Sequence, residues 1–527
     1  LREWNRTNAD PPWTDAELAH KVESAGERVA VLPERKFNDP HQLAADFPGV
    51  WCYWHEGLYC YDGRRYVAVA DSEVRSRLRT YIGERFERVY TGMLKKYQGE
   101  QEAHETLAGA AAEAGGKAPK EPKKPTRHPV TEHLVNEVLA ELRAQSQVPG
   151  AFNMPCMLPE GKEPHLLTFT NGLLDVGTGK LLPHSRDWFS TVCIPYAYDP
   201  TAVDEVLPSA LAVWFDEDEE RAALCQEWAG YLLTRSTDMQ AFMILTGDGS
   251  NGKGTFTAVL EAMLGGAANV SYLPWEALGE RFQLYGTLGK LLNVSDDIGE
   301  FDKSAEGTLK WFVGGKPVTF ERKGKDPFTA TPTARLMLSC NQAPRISDRT
   351  DGVWRRALVI PFDGKIPEGK KRYGMDKAEW WTAHANMPGI LNWAVAGYRR
   401  QRDAGKFTRP KRCEEAKRQL RLESNPALGY VTEELVADPD ARDLPSSDLY
   451  EGYRNWCATN GYKPLGAIMF GKEVKRKFRD AESKTRKVSG KHAKYWHGVR
   501  RFDAIRDSGL RLAPIPTEGA EAGAAAG

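Results

Sequence analysis

Several protein classes are excluded by what this chain does not contain. Its 8 cysteines stand apart, at 52, 60, 156, 193, 225, 340, 413 and 457, with no CxxC pair. That scatter argues against a zinc module or a disulfide framework and for a reducing, cytoplasmic compartment. No run of eighteen or more apolar residues is present that could span a bilayer, and the N-terminus has no signal-peptide pattern. Net charge is absent too: 72 Lys and Arg balance 72 Asp and Glu. Contact with nucleic acid must therefore come from local basic patches and not from a global field. Upstream of residue 236 no convincing cluster of metal-binding acids is present, so primer synthesis is not expected from this stretch. The chain begins at Leu1 without a methionine, as a fragment of a longer polypeptide would. At 527 residues it has room for several domains, each with its own core.

The most informative stretch is Met243 to Gly265, "MILTGDGSNGKGTFTAVLEAMLG". An apolar run, Phe242 to Leu245, predicts a buried strand. Beyond the glycines, Phe256, Val259, Leu260, Met263 and Leu264 recur three and four apart, the spacing of one helix face. Strand, glycine loop and helix form the context of a phosphate-binding loop. Gly247, Asp248, Gly249, Ser250, Asn251, Gly252, Lys253, Gly254 and Thr255 would make that loop. Glycines let the backbone wrap the phosphates with its N–H groups, and the helix N-terminus adds its positive dipole end. Lys253 would reach the β and γ phosphates. The serine or threonine that usually follows the lysine is replaced by Gly254, which makes Thr255 the candidate Mg²⁺ ligand. A glycine loop arising by chance is the competing reading.

Downstream, "KLLNVSDDIGEFD" predicts a short strand ending in Asp296 and Asp297. Paired acids there suit a metal ligand, Asp296, and a base that activates water, Asp297; two aspartates capping a turn would look the same. "TARLMLSCNQAPRI" places Asn341 at the end of another apolar strand, where its amide would meet a γ-phosphate or the lytic water. In "DGVWRRALVIPF", Arg355 and Arg356 precede a further strand. A guanidinium there suits transition-state charge across a subunit boundary, and surface ion pairing is the alternative.

The series "GDGSNGKGTF", "LLNVSDD", "FVGGKPVTFERKGKDPF", "LMLSCNQAP" and "DGVWRRALVIPF" resembles the superfamily 3 helicases, and within them the phage, plasmid and poxvirus primase–helicase family. The resemblance implies an α/β, AAA+-type P-loop ATPase core with an N-terminal α+β region and a C-terminal winged-helix domain. It makes Lys253 the Walker A lysine, Asp296 and Asp297 the Walker B acids, Asn341 the sensor, and Arg355 or Arg356 the trans-acting finger. Residues near 45 to 235 look like the region that precedes the motor in this family, and "NRTNADPPWTDAEL" like the junction after a primase domain. Two positions depart from the pattern: Gly254 in the loop, and Lys316 where the family often has an acid after "GG".

"VTFERKGKDPFTATPTARL" predicts two strands around Lys323-Gly324-Lys325. Arg322, Lys323 and Lys325 would grip DNA if the tip faces a ring channel, as the resemblance implies; a solvated turn is the alternative. Near the C-terminus a basic helix and a strand pair carry Lys475, Arg476, Lys477, Lys484 and Arg486, candidate phosphate contacts on a wing or a plain solvated face.

The expected division is an α+β region at 1–98, a flexible linker or insertion at 99–129, a helical and strand region at 130–235, the motor at 236–400, a connecting helix at 401–429, the winged helix at 430–512 and a disordered tail at 513–527. The expected activity is ATP- and Mg²⁺-dependent translocation on single-stranded DNA, 3′ to 5′ by the resemblance. It would be performed by a ring, most simply a hexamer, in phage, plasmid or mobile-element replication in a bacterial host, beside a primase domain or protein. A DNA-binding AAA+ ATPase that loads a replication complex without unwinding is the second reading.

Overall fold

The computed structural model describes residues 37–113, 115, 117, 119–249, 251–296, 303–341, 351–488 and 491–503. Asp297 and Ser250 lie outside the described residues. The chain forms two compact units, one within Leu1–Gly161 with Ser185–Thr191, the other within Lys162–His184 with Val192–Gly527. Among the described residues no helix is long and apolar enough to cross a membrane.

In the first unit three antiparallel strands, β1 (Trp51–Trp54), β2 (Gly57–Tyr61) and β3 (Tyr66–Val69), pair in that order. They accompany helices α1 (Asp71–Glu113) and α2 (Glu132–Gln145). Val74, Leu78, Ile82 and Phe86 recur every fourth residue of α1 and are its buried positions, so one stripe enters the core beside Val135, Val138 and Leu142 of α2. Beyond Phe86 the helix continues to Glu113, about 40 Å of helix with partly buried and exposed positions and no fully buried one. The apolar pattern in the sequence stops at Tyr97, and the composition from residue 99 suits a tether. Instead, "ETLAGAAAE" is rich in the best helix former, and the helix carries on through it. The chain then returns along the helix: the His104 ring lies 2.9 Å from the Pro119 carbonyl, and Arg127 bonds Glu87 at 3.0 Å.

The second unit is a mixed α/β structure. Its helices α3 (Val206–Phe215) and α4 (Glu219–Tyr231) precede strand β4 (Phe242–Thr246), the glycine loop and helix α5 (Lys253–Leu264). Strands β5 (Val270–Ser271) and β6 (Leu292–Asp296) follow, then helix α6 (Lys303–Val313) and a hairpin of β7 (Val318–Phe320) and β8 (Phe328–Ala330). Strands β9 (Arg335–Cys340) and β10 (Ala357–Pro361) complete a five-stranded, wholly parallel sheet of order β5-β6-β9-β4-β10. A sheet covered on both faces needs apolar strands throughout, and Phe242, Met243, Ile244 and Leu245 are all buried. The five α5 residues that form one face are fully buried, each contributing about 1.5–3 kcal/mol over exposure. Acids at the start of α4 do what their position suggests: Asp218 caps the helix by accepting from the Arg221 amide at 3.1 Å.

Helices α7 (Met387–Ala404) and α8 (Lys411–Ser424) lead to a C-terminal module. It comprises α9 (Pro426–Glu433), β11 (Leu435–Ala437), α10 (Ser446–Thr459), α11 (Ala467–Lys477), β12 (Glu482–Val488), β13 (Lys491–His497) and β14 (Val499–Arg501). Its own core is built on Tyr430, Leu449, Tyr453, Phe470, Val474 and Trp496. β12 and β13 form the long antiparallel hairpin that the sequence predicts, and β14 returns to pair with β11.

Candidate nucleotide site

Parallel strands bring their C-terminal ends to one edge, which is where ligands bind in open α/β sheets. Here Thr246 of β4 pairs with Cys340 of β9 on one side and Pro361 of β10 on the other, and Asp296 of β6 pairs with Ser339. The glycine loop, Asn341 and Asp296 therefore leave the same edge. Asp296 is two strands from the loop strand, roughly 10 Å away.

Each glycine that shapes the loop has its own reason. Gly247 (φ +148°) sits where a Cβ would collide with the Phe362 carbonyl and the Asn251 amide, and those two groups are themselves hydrogen-bonded. Gly252 has φ +108°, and a Cβ there would meet the Trp214 ring at 2.9 Å. Gly252 also caps α5 without any side-chain hydrogen bond, so the amides of the first turn are not covered by a capping side chain. Asp248 and Gly249 form the exposed crest.

Lys253 is buried, its ammonium folded back onto the Gly247 carbonyl and 3.5 Å from Asn251 Oδ1. Gly254 is exposed and Thr255 half-buried on the cavity side, whereas Thr257 turns away to bond the Lys253 carbonyl at 3.2 Å. The loop, Ser339 and Asn341 line one cavity of about 930 Å³. Asn341 is exposed to it. Asp296 stands on the same edge outside the cavity lining, its own side chain exposed. Beside it the Glu261 carboxyl is held above the usual range, first by burial and then by Asp296 and Glu379, against a lowering bond from Tyr272. The Tyr272 phenol is pushed up to about 12 by burial and by Glu261.

The two arginines are not brought into this cavity. They precede β10, whose first residue, Ala357, pairs with Phe242 at the opposite edge, about 13 Å of strand from Thr246. They also differ. Arg356 donates to the Gly352 carbonyl and, at 2.8 Å, to Gln240, and burial beside Arg355 lowers its pKa. Arg355 is exposed and makes no hydrogen bond or ion pair among the described residues.

The predicted basic residues divide in the same way. Arg322 lies over the rings of Tyr285 (5.1 Å) and Phe328 (5.9 Å) at the base of the β7–β8 hairpin, while Lys323 and Lys325 are exposed. In the C-terminal module Lys475 bonds the Arg479 and Ala481 carbonyls, each at 2.7 Å, closing the end of α11. Arg476 pairs with Glu473 at 3.5 Å, Lys484 with Glu482 at 2.8 Å, and Arg486 with Asp443. Lys477 is exposed, as are Lys487 and Lys494 on the other face of the hairpin, and none of the three side chains has a partner among the described residues.

Two walls of the cavity carry no motif in the sequence. One is a face of α3, from Val206 to Trp214; the other is the segment Ile366–Asp376. Behind them, buried Arg221 holds the exit of β10 through Asp218 (2.9 Å), Asp363 (2.6 Å) and the carbonyls of Phe215 and Pro361. A capping pattern at Asp218 is visible locally, but a partner 142 positions away carries no local signal.

These features define an α/β protein with a glycine-loop site at the C-terminal edge of a parallel sheet. Three family models match the chain: one described as D5 N terminal like over residues 51–234, a family of unknown function (DUF5906) over 245–356, and one described as poxvirus D5 protein-like over 422–505. "Putative helicase 121R" of Invertebrate iridescent virus 3 is 25% identical over 334 residues, 56% of this chain and 35% of that one. "Putative helicase L207/L206" of Acanthamoeba polyphaga mimivirus is 24% identical over 323 residues, 56% and 33% of the two chains. The matched stretch is thus about a third of those relatives' length. The apo C-terminal region of NrS-1 superposes with a TM-score of 0.40 at 13% identity, covering 85% of this chain and 95% of that one. The chain is thus similar to D5-like proteins over residues 51–234 and 422–505, and to viral proteins named as putative helicases.

Proposed function

We propose that this chain is a superfamily 3 motor: an AAA+-type P-loop ATPase that hydrolyses ATP to translocate on single-stranded DNA, 3′ to 5′, and unwinds duplex ahead of a replication fork. The observation that carries this reading is the single cavity in which an uncapped helix N-terminus, a glycine cradle, Lys253, Thr255 and Asn341 converge. Lys253 would exchange the Gly247 carbonyl for the β and γ phosphates. The half-buried Thr255 hydroxyl and the Asp296 carboxylate are oxygen donors of the kind Mg²⁺ takes, and bound Mg²⁺ would offset phosphate charge. Asp297 is the proposed base for the attacking water, and Asn341 the amide that holds that water or the γ-phosphate.

Arg355 is the proposed finger, because it is the one of the two arginines without a partner among the described residues. On the edge opposite its own chain's loop it would serve a neighbour's site, which calls for a ring, most simply a hexamer. Lys323 and Lys325 are the proposed strand contacts in the channel, with Arg322 as the aromatic-anchored base of the hairpin. The C-terminal module is proposed to be a winged helix whose β12–β13 hairpin tracks phosphates. A primase domain or protein is the proposed partner.

The test is strand displacement on a forked duplex with ATP, wild type beside Lys253→Ala. Unwinding by the wild type and none by the variant is the expected result. Equal ATPase in both would sink the proposal, and hydrolysis without displacement would favour a loader.

A further inference from the structure

At about 930 Å³ the cavity has more room than a triphosphate alone would fill, and part of its lining is of different chemistry. One side is the α3 face, where Val206, Ala210 and Val213 recur at helical spacing. The other is the segment after β10. Ile366 and Met375 are half-buried there, while Tyr373 is 89% exposed although it lines the cavity. A tyrosine ring so placed has almost no protein against it and its phenol bonds nothing among the described residues, so both faces of a large amphipathic surface are open. Lys371 is already engaged by Glu368 at 2.6 Å, but Arg372, also exposed and on the cavity wall, has no partner among the described residues. Gly374 (φ +84°) provides the left-handed turn that ends this presentation.

Anionic recognition by the glycine loop, and an apolar face with a free aromatic elsewhere in the same lining, match the two halves of one ligand class. We propose that this part of the lining is a nucleobase subsite in which Tyr373 stacks on the base of a nucleoside triphosphate and the α3 face covers its opposite side. Arg372, in the same lining, would meet the sugar–phosphate. The subsite rests on the phosphate-loop reading, since the base is positioned only if the phosphates lie in the loop. Tyr373 contributes contact area and not fold stability, because at 89% exposure it packs on nothing in the free protein.

Titration calorimetry with two probes separates the halves: ATP, and inorganic tripolyphosphate, which has no base. Wild type is compared with Tyr373→Ala, Tyr373→Phe and Lys253→Ala. Tyr373→Ala is expected to weaken ATP roughly tenfold, the scale of one base–aromatic stack, and to leave tripolyphosphate unchanged. Tyr373→Phe, which keeps the ring, should bind ATP like the wild type, and Lys253→Ala should weaken both probes. The subsite is overturned if Tyr373→Ala leaves ATP unchanged or weakens both probes equally while Lys253→Ala still weakens both. If Lys253→Ala alters neither probe, the phosphate loop itself is wrong and the subsite falls with it.

Discussion

The sheet edge that carries the glycine loop and the basic C-terminal module both present themselves in the sequence as charged working surfaces, and they are built in opposite ways. At the sheet edge the glycine loop, Lys253, Thr255 and Asn341 converge on one cavity from separate elements, and the geometry that holds them is specific down to single glycines. In the C-terminal module four of the five basic residues are spent locally, on carbonyls at a helix end or on Glu473, Glu482 and Asp443. A motif defined by order and spacing locates a site because the chemistry dictates the spacing. A run of Lys and Arg defines only a composition, and neighbouring acids decide which charges remain available.

The contrast predicts a graded series of effects. Largest should be Arg355→Ala, which removes an exposed side chain bound to nothing among the described residues: ATPase of the assembled protein should fall by about 10³-fold or more with melting unchanged. Arg356→Ala should reverse that pattern, destabilising by about 1–3 kcal/mol because it removes the bonds to Gly352 and Gln240, as read in denaturant unfolding. An equal loss of ATPase in both variants, with no change in stability, would erase the distinction drawn between them.

Gly252→Ala comes next. A positive φ costs an L-residue about 1–2 kcal/mol, and the Trp214 ring adds a clash, so nucleotide binding should be lost along with roughly 2 kcal/mol of stability. In the C-terminal module the order is set by pairing. Lys487→Ala with Lys494→Ala should reduce the salt dependence of single-strand binding, by about 0.7 in log–log slope for each phosphate no longer neutralised. Lys484→Ala with Arg486→Ala should change it less, which parallel titrations at several salt concentrations would measure.

The smallest effect concerns Glu261. Its folded pKa is raised above the ordinary value of 4.5, so it favours folding most below that pH and loses that contribution as pH climbs through the folded value. Glu261→Gln should therefore be more stable than wild type at neutral pH, with the gap closing as pH falls through the raised folded value toward 4.5 and absent below it. A gap of constant size across that range would remove the titration from the account.

Much of the fold was legible because periodicity reports burial. Phe256, Val259, Leu260, Met263 and Leu264 were readable as one helix face, and the strands ending at Thr246, Asp296 and Cys340 as apolar runs. What stayed hidden lacked a local pattern. Trp214 matters because a loop 38 positions later has no Cβ at Gly252. Tyr373 is defined by what does not pack on it. Nor could the sequence say that Ala-rich residues past Tyr97 continue a helix, since composition suits helix and tether alike until Arg127 is seen returning to Glu87.

The sheet order has a mechanical side. Strand β9 is bonded along both flanks, to β6 and to β4, so it resists sliding alone: a lengthwise slip of one residue would break the register on two sides at once. Its leading end carries Asn341 at the cavity, and its trailing end emerges from the basic hairpin through the few residues between Ala330 and Arg335. Arg335 bolts that trailing end down, bonded to the carbonyls of Thr234, Ser236 and Thr333 and stacked over Tyr231 at 4.5 Å. The strand is thus a stiff strut about 20 Å long, and a force applied between its two ends must tilt the sheet as a plate instead of pulling one thread through it.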